Sequence, residues 1–203
     1  MQVIDLSVLL DEKTPVYPGD PATKIEPVGV FARDGYNDHY ISVGNHVGTH
    51  IDAPLHMTAE GRNLDQIPVD QFVGQGRYIK VDQNFDIEKV RAAGVRAGDI
   101  VLFDTGMSER YQEAEYFEDY PAMSEEIATY LVTQKVKMVG LDTGSADKAD
   151  GFPIHKILLG GGVLIIENLT NLAALTAEKF DVYALPLRLG IDGSPARVIA
   201  VIR

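Results

Sequence analysis

The segment HVGTHIDAPLH, residues 46–56, restricts the local fold more than any other part of this sequence. It holds three of the five histidines of the chain, together with an aspartate. So many polar groups in eleven residues are unusual for a plain core, where each of them needs a partner. We therefore interpret His46, His50 and Asp52 as candidate ligands of one metal ion.

The spacing of these three residues favours a strand over a helix. An α-helix places His46 and His50 on one face, but Asp52 then lies about 240° further round and points away. The β-branched residues at positions 47, 49 and 51 also disfavour a helix. In a strand, positions 46, 48, 50 and 52 share one face.

A flat strand does not bring the two histidines together, because four residues at ~3.3 Å each separate their Cα atoms by about 13 Å. The chain must therefore bend between them, and Gly48 tolerates such a bend because it lacks a Cβ. Pro54 then turns the chain, which redirects His56 towards the same cavity.

A second group of candidates lies near the end of the chain, in GFPIHKILLGGGVLIIENL. His155 precedes the apolar run from Val163 to Ile166, and Glu167 ends that run. In α/β proteins, the carboxyl ends of buried strands are where site residues lie. The alternative is a glutamate that surfaces in a loop at a strand end, and the pattern leaves both open. Gly160–Gly162 lack the spacing of a phosphate-binding loop.

Composition limits the classes of partner and chemistry. The net charge of −12 repels nucleic acid and anionic membranes. The chain has no cysteine, so disulfides, thiol nucleophiles and cysteine zinc sites are excluded. We see neither a signal peptide nor a membrane-spanning stretch, and we expect a cytoplasmic protein. The length of 203 residues predicts one domain over 1–203. A domain of this size folds without a metal ion, so we expect a bound metal to serve chemistry.

The pattern of apolar residues predicts an α/β protein with a partly parallel sheet and a β-rich N-terminal half. A helix is predicted from Ser124, as its cap, to Gln134. Strands are predicted at Val3–Val8, Lys24–Phe31, Tyr40–Val43, Arg77–Val81, Ile100–Phe103, Met138–Leu141, Val163–Ile166, Val182–Leu185 and Arg197–Ile202.

The histidine segment resembles the H-x-G-T-H-x-D-x-P-x-H signature of the cyclase family of metal-dependent amide hydrolases, which includes bacterial kynurenine formamidase and isatin hydrolase. The resemblance extends to IDLSVLLDEKTPVYPGDP, VLFDTG and GLDTGSAD, and to the FPIHKILLGGGVLIIENL segment. It implies a swivelling β/β/α fold with a mixed sheet, in a homodimer or homotetramer.

The resemblance also implies roles for individual residues. His46, His50 and Asp52 match the ligands of a first metal ion. Asp52, His155 and Glu167 match the ligands of a second metal ion in the binuclear members, with Asp52 bridging the two ions. Zn²⁺ is the expected metal, as one or two ions, and Mn²⁺ serves some relatives. His56 matches the catalytic histidine, and Tyr17 lies in the loop that lines the substrate pocket.

The expected activity is hydrolysis of a small-molecule amide by metal-activated water. An arylformamidase-like reaction would convert N-formylkynurenine to kynurenine and formate, in tryptophan catabolism by the kynurenine pathway. Tyr17 stands where kynurenine formamidases generally carry tryptophan, and a cyclic amide such as isatin is the alternative substrate. A non-catalytic metal-binding module is the alternative outside the enzymes; its metal would be saturated by protein ligands.

Overall fold

A computed structural model describes residues 1–148, 150–175 and 179–203. Within these residues the chain forms ten strands and four α-helices, connected by loops and short 3-10 helices. In chain order they are β1 (Gln2–Asp5), β2 (Lys24–Gly29), α1 (Phe31–Asp34), β3 (Asp38–Ser42), β4 (His50–Asp52), β5 (Val73–Lys80), α2 (Ile87–Ala92), β6 (Ile100–Asp104), α3 (Glu125–Gln134), β7 (Met138–Leu141), α4 (Pro153–Gly160), β8 (Leu164–Glu167), β9 (Asp181–Pro186) and β10 (Gly193–Ile202).

Seven of the described strands close into a barrel-like ring in the order β10-β4-β8-β7-β6-β5-β9, and β9 pairs again with β10. The pairings from β5 to β8 are parallel, and those that involve β4, β9 or β10 are antiparallel. Strand β1 adds to the other edge of β10. The parallel pairs need crossover connections, which α2, α3 and α4 provide.

Two hydrophobic cores lie on the two faces of this ring. Along β6, Ile100 and Leu102 pack in one core, whereas Val101 and Phe103 pack in the other. This alternation follows from the two-residue period of a strand. The second core is covered by α2, α3 and α4, whose buried residues include Val90, Leu131 and Leu158.

Strands β2 and β3 form a separate two-stranded ribbon. All five residues of β3 are exposed. Large apolar side chains are also exposed along this ribbon and its connection, and they include Val28, Phe31, Tyr36 and Tyr40. An isolated two-stranded hairpin is marginally stable in water, so this ribbon is a candidate for coverage by another surface.

The predicted α/β class, mixed sheet and β-rich N-terminal half are confirmed. Ser124 caps α3 as predicted, because its side chain accepts a hydrogen bond from the Ile127 N–H. The strand predicted from Lys24 to Phe31 is wrong at its end: β2 stops at Gly29, and Phe31 begins α1. There the Asp34 side chain accepts a hydrogen bond from the Val30 N–H, and the Asn37 side chain accepts one from the Phe31 N–H. These contacts interrupt the hydrogen bonding between β2 and β3 locally.

Among the described residues, every helix is too short or too polar to cross a lipid bilayer.

Candidate metal centre

Strand β4 supplies two of the predicted ligands. Ile51 points into one hydrophobic core, so its neighbours His50 and Asp52 point to the opposite face of the sheet. Both side chains are buried, at 2% and 1% exposure. Buried polar groups of this kind are retained where partners satisfy them, and the partners here come from the next strand and from a helix.

Strand β8 and helix α4 bring in the second pair. β4 and β8 are antiparallel neighbours, and their register places His50 opposite Glu167. Ile166 points into the same core as Ile51, so Glu167 shares the outer face with His50. Helix α4 covers this face and carries His155 in its first turn. The predicted position of Glu167 at the carboxyl end of a buried strand is therefore confirmed.

The donor atoms of these four side chains are close together. His50 Nε2 lies 3.3 Å from Asp52 Oδ1 and 3.6 Å from Glu167 Oε2. His155 Nε2 lies 3.1 Å from Glu167 Oε1 and 3.6 Å from Asp52 Oδ2. Ligand atoms bound to one tetrahedral zinc ion at ~2.0 to 2.2 Å are about 3.3 to 3.6 Å apart. The observed separations are close to these values.

Gly48 provides the bend that the sequence predicted. Its φ angle of +61° is in the left-handed region, where residues with a Cβ are strained. The continuous strand face over positions 46–52 is not observed, since β4 begins at His50 and His46 lies in a turn before it. The bend nevertheless brings His46 Nδ1 to 2.7 Å from Asp52 Oδ1, so the predicted trio converges.

His56 reaches the same place by the predicted turn at Pro54. Residues Pro54–His56 form a 3-10 helix, and the His56 ring centroid lies 4.0 Å from that of His46. Asp192 lies between the two rings: its Oδ2 is 3.0 Å from His46 Nε2 and 3.1 Å from His56 Nδ1. The other oxygen of Asp192 accepts a hydrogen bond from Asn45.

Second partners fix the orientation of the two most buried histidines. His50 Nδ1 lies 2.8 Å from the Gly48 carbonyl oxygen, which can only accept a hydrogen bond. His155 Nδ1 lies 2.7 Å from Asp147, which also accepts the His155 backbone N–H at the start of α4. In both rings the Nδ1–H is thus the donor, which leaves Nε2 as the nitrogen that can bind a metal ion once it has lost its proton.

The carboxylates set the electrostatics of the cluster. Burial lowers the pKa of His46, but hydrogen bonds and charge attraction from Asp52 and Asp192 outweigh it and raise the pKa to about 9. For His50 and His155, burial is again the largest single effect and lowers the pKa. The neighbouring carboxylates together outweigh it, so the pKa of each histidine is raised. For Asp52, burial raises the pKa, and the surrounding histidines hold it well below its usual range. The site strongly favours positive charge.

A buried oxygen without a partner tests whether the residues suit a cation. Asp52 Oδ2 is inaccessible to solvent and accepts no hydrogen bond within the described parts of the chain. Such an orphaned carboxylate oxygen is costly unless a cation satisfies it. Two groups, His46–Asp52–His56 and His50–Asp52–Glu167, each place their donor atoms within 4.8 Å of one another. Imidazole and carboxylate donors suit Zn²⁺ and Mn²⁺.

A cavity of about 220 Å³ opens onto the cluster. The predicted pocket residue Tyr17 lines it and packs edge-on against Phe117 with ring centroids 5.7 Å apart. Its polar wall includes His56 and Ser145, and Met57 and Phe152 form part of its apolar wall. A concave site of this composition can hold a small aromatic or amide-containing molecule.

The sequence interpretation missed Asp147 and Asp192. Asp147 stands in a loop before α4 and accepts the Ile154 and His155 N–H groups from outside the usual cap position, so no local spacing in the sequence indicates it. Asp192 is 136 residues from His56 in the chain. Its flanking glycines, Gly190 and Gly193, indicate a tight segment, and a Cβ at Gly193 would come within 2.4 Å of the His46 ring.

Comparison with protein families gives one model that matches, over residues 4–148; the family is described as "Putative cyclase". This span includes the histidine segment and Asp147, and ends before His155.

Related proteins match along nearly the whole chain. An uncharacterized protein of Methanocaldococcus jannaschii is 36% identical over 100% of both chains. A kynurenine formamidase of Salinibacter ruber is 30% identical over 98% of this chain and 97% of its own. Among solved structures, isatin hydrolase A from Labrenzia aggregata has a TM-score of 0.90 at 26% identity, covering 99% of this chain and 93% of its own.

Proposed function

The chain belongs to the cyclase family, and from this premise we propose that it is a metal-dependent hydrolase of small-molecule amides. The observation that carries this proposal is the convergence of His50, Asp52, His155 and Glu167 around the orphaned oxygen of Asp52. The cavity beside them gives a substrate access to the same atoms.

We propose that His46, His50 and Asp52 would hold one metal ion, and that Asp52, His155 and Glu167 would hold a second. Zn²⁺ is the proposed metal, with Mn²⁺ as the alternative, because imidazole and carboxylate donors accept both. A bound divalent cation supplies Lewis acidity, which lowers the pKa of a water molecule and polarises an amide carbonyl.

His56 is the proposed general base and acid. Its Nδ1–H donates to Asp192 Oδ2, 3.1 Å away, so its Nε2 is free to accept a proton from the attacking water. The imidazolium then returns this proton to the nitrogen that leaves the amide carbon. Asp192 stabilises the charged ring while it carries the proton, as a carboxylate partner does for other catalytic histidines.

Tyr17 and Phe152 line the same cavity as His56 and offer aromatic surface to a substrate ring. We propose an aryl formamide of the N-formylkynurenine type as the substrate, which the 30% identity to a kynurenine formamidase supports. Isatin is the second candidate, because the barrel superimposes on isatin hydrolase A with a TM-score of 0.90 and Tyr17 replaces the expected tryptophan.

The test compares three forms of the protein. Purified wild-type protein is expected to contain zinc or manganese and to release formate from N-formylkynurenine or to open isatin. His50→Ala removes a buried ligand and should lose metal and turnover together. His56→Ala should keep the metal and lose turnover by about 10²- to 10⁴-fold, the usual contribution of a general acid–base group.

These measurements distinguish a metal-dependent hydrolase from a non-catalytic metal-binding module. If His50→Ala keeps its full metal content and hydrolyses the substrate as fast as the wild type, the proposed centre is contradicted. A wild-type protein that binds metal but hydrolyses neither substrate, nor any of a panel of aryl formamides and cyclic amides, would favour the non-catalytic metal-binding module.

We propose a homodimer or homotetramer and a cytoplasmic location. The exposed apolar side chains of the β2–β3 ribbon, Val28, Phe31 and Tyr40 among them, support a homo-oligomer because they offer surface for another copy of the chain. Light scattering on the purified protein is expected to give two or four times the chain mass, and the mass of one chain would contradict this. The net charge of −12 is compatible with the cytoplasm, which fractionation of the source cells checks.

A further inference from the structure

Asn168 follows the proposed ligand Glu167 and is buried, at 4% exposure. We propose that Asn168 is a positioning residue, whose side-chain amide holds the Gly48 carbonyl and thereby fixes His50 against Glu167. This inference rests on the proposed function of the metal centre and extends it to a residue that touches no substrate.

The Gly48 carbonyl oxygen receives two hydrogen bonds. Asn168 Nδ2 donates to it over 3.0 Å, and His50 Nδ1 lies 2.8 Å from it. Both lone pairs of the carbonyl oxygen are therefore used. Because the carbonyl determines which nitrogen of His50 is protonated and where the ring points, whatever holds the carbonyl also holds the ring.

The orientation of the Asn168 amide is itself fixed. Its Oδ1 lies 2.9 Å from the fully buried hydroxyl of Tyr116, whose one proton is shared between this oxygen and the Asp142 carbonyl oxygen, 3.0 Å away. The Gly48 carbonyl can only accept, so the amide nitrogen must face Gly48 and the amide oxygen must face Tyr116. A reversed amide would place two oxygens against each other.

The backbone of Asn168 makes a second connection to the same segment. Its carbonyl oxygen accepts a hydrogen bond from Thr49 Oγ1 over 2.6 Å, and its N–H donates to the Thr143 carbonyl oxygen over 3.0 Å. Positions 48 and 49 are thus tied to residue 168 by one side-chain and one backbone contact. They lie just beyond the end of the β4–β8 ladder, where His50 pairs with Glu167.

The backbone conformation of Asn168 supports a role for its side chain. Its φ angle is +57°, in the left-handed region that glycine adopts without strain. Asparagine adopts this conformation more readily than other residues with a Cβ, so the backbone accepts the amide at this position. Strained residues persist where their surroundings determine them, and they cluster at functional sites.

Asn171 offers a matched control three residues later. Its φ angle is +56°, nearly the same as that of Asn168, and it is exposed. Its side chain donates to the Asp5 carbonyl oxygen, outside the proposed centre. A change at Asn171 therefore alters a left-handed asparagine without altering the contacts of the metal ligands.

The experiment titrates metal-depleted protein with Zn²⁺ and measures the dissociation constant by calorimetry. Asn168→Gly keeps the left-handed backbone and removes the amide, and Asn168→Asp replaces the donor by an oxygen that repels the carbonyl. We expect both to weaken zinc binding by about 10- to 100-fold, as loss of partners around metal ligands does elsewhere. Asn171→Gly should bind zinc like the wild type.

Two further variants distinguish a positioning role of Asn168 from a general loss of protein stability. Ile127→Val lowers stability in the core under α3, away from the ligands, and should leave zinc affinity unchanged. Tyr116→Phe removes the hydroxyl that contacts the amide oxygen, keeps the ring, and should weaken zinc binding in the same direction as the Asn168 variants. It decides the matter if the Asn168 variants do not fold.

The inference is overturned if folded Asn168→Gly and Asn168→Asp bind zinc as tightly as the wild type does. If neither variant folds, it is overturned by wild-type zinc affinity in Tyr116→Phe. Either result leaves the proposed function intact. Absence of zinc binding by the wild-type protein overturns the proposed function itself, and this inference with it.

Discussion

At the scale of single residues, Asp192 connects two imidazoles to which we assign different roles. Its Oδ2 lies within 3.1 Å of both His46 and His56. Burial raises the pKa of Asp192, but hydrogen bonds from the two histidines outweigh it and lower the pKa. Asp192 therefore carries a negative charge at neutral pH and accepts a hydrogen bond from the His56 ring.

Replacing Asp192 by Asn keeps the shape of the side chain and removes the charge. We expect kcat for the amide substrate to fall by about 10- to 100-fold, the usual cost of losing the partner of a site histidine. Because Asp192 also contacts the proposed ligand His46, kcat is measured at saturating zinc, where weaker metal binding does not lower it. The exposed pair of Asp82 with Lys89 offers the control Asp82→Asn, which should not change kcat. Wild-type kcat in Asp192→Asn would refute the partnership with His56.

At the scale of elements, the bend before β4 determines where His50 points. Gly48 and Gly94 have nearly equal φ angles, +61° and +63°. An added Cβ at Gly48 would make ordinary contacts at 3.6 Å or more, and at Gly94 it would meet nothing within 4 Å. Alanine at either position is thus disfavoured by backbone strain rather than by collision.

We expect Gly48→Ala and Gly94→Ala to lower the free energy of unfolding by a similar amount, about 1 kcal/mol each. Chemical denaturation of the metal-depleted proteins measures this. Zinc affinity should fall in Gly48→Ala alone, because only there does a shifted carbonyl move His50. Equal zinc affinity in the two variants would show that the bend does not position the ligand.

Elements with local signals could be predicted from the sequence. Strand β7 has the predicted bounds, Met138–Leu141, because a buried parallel strand is a short continuous apolar run. The prediction of α3 from Ser124 depended on a cap within the same turn. The bend at Gly48 followed from the distance that separates His46 and His50 in a flat strand.

Elements that depend on distant contacts could not be predicted. Helix α4 has eight residues, two turns, and its apolar pattern is too short to distinguish from a loop. Strand β10 was predicted from Arg197, yet it begins at Gly193, because its first residues pair with β4 across the ring. Asp192 enters the centre by the same long-range pairing, and no spacing in the sequence indicates it.

At the scale of the whole molecule, the residues of the hydrophobic cores are distinct from those of the proposed metal centre. The two cores on its faces bury residues such as Leu102 and Phe103 with no contribution from the histidine cluster. The centre lies on the outer face of β4 and β8, under the first turn of α4. Because the two cores are complete without the cluster, the fold can hold its closely spaced ionisable side chains in place.

Anomalous X-ray scattering from zinc-soaked crystals, recorded on both sides of the zinc absorption edge, tests the central claim most directly. The convergence of the donor atoms predicts anomalous density among His50, Asp52, His155 and Glu167, in contact with Asp52 Oδ2. Density confined to other parts of the surface, with these four side chains bonded only to one another, would contradict the metal centre and the hydrolase function built on it.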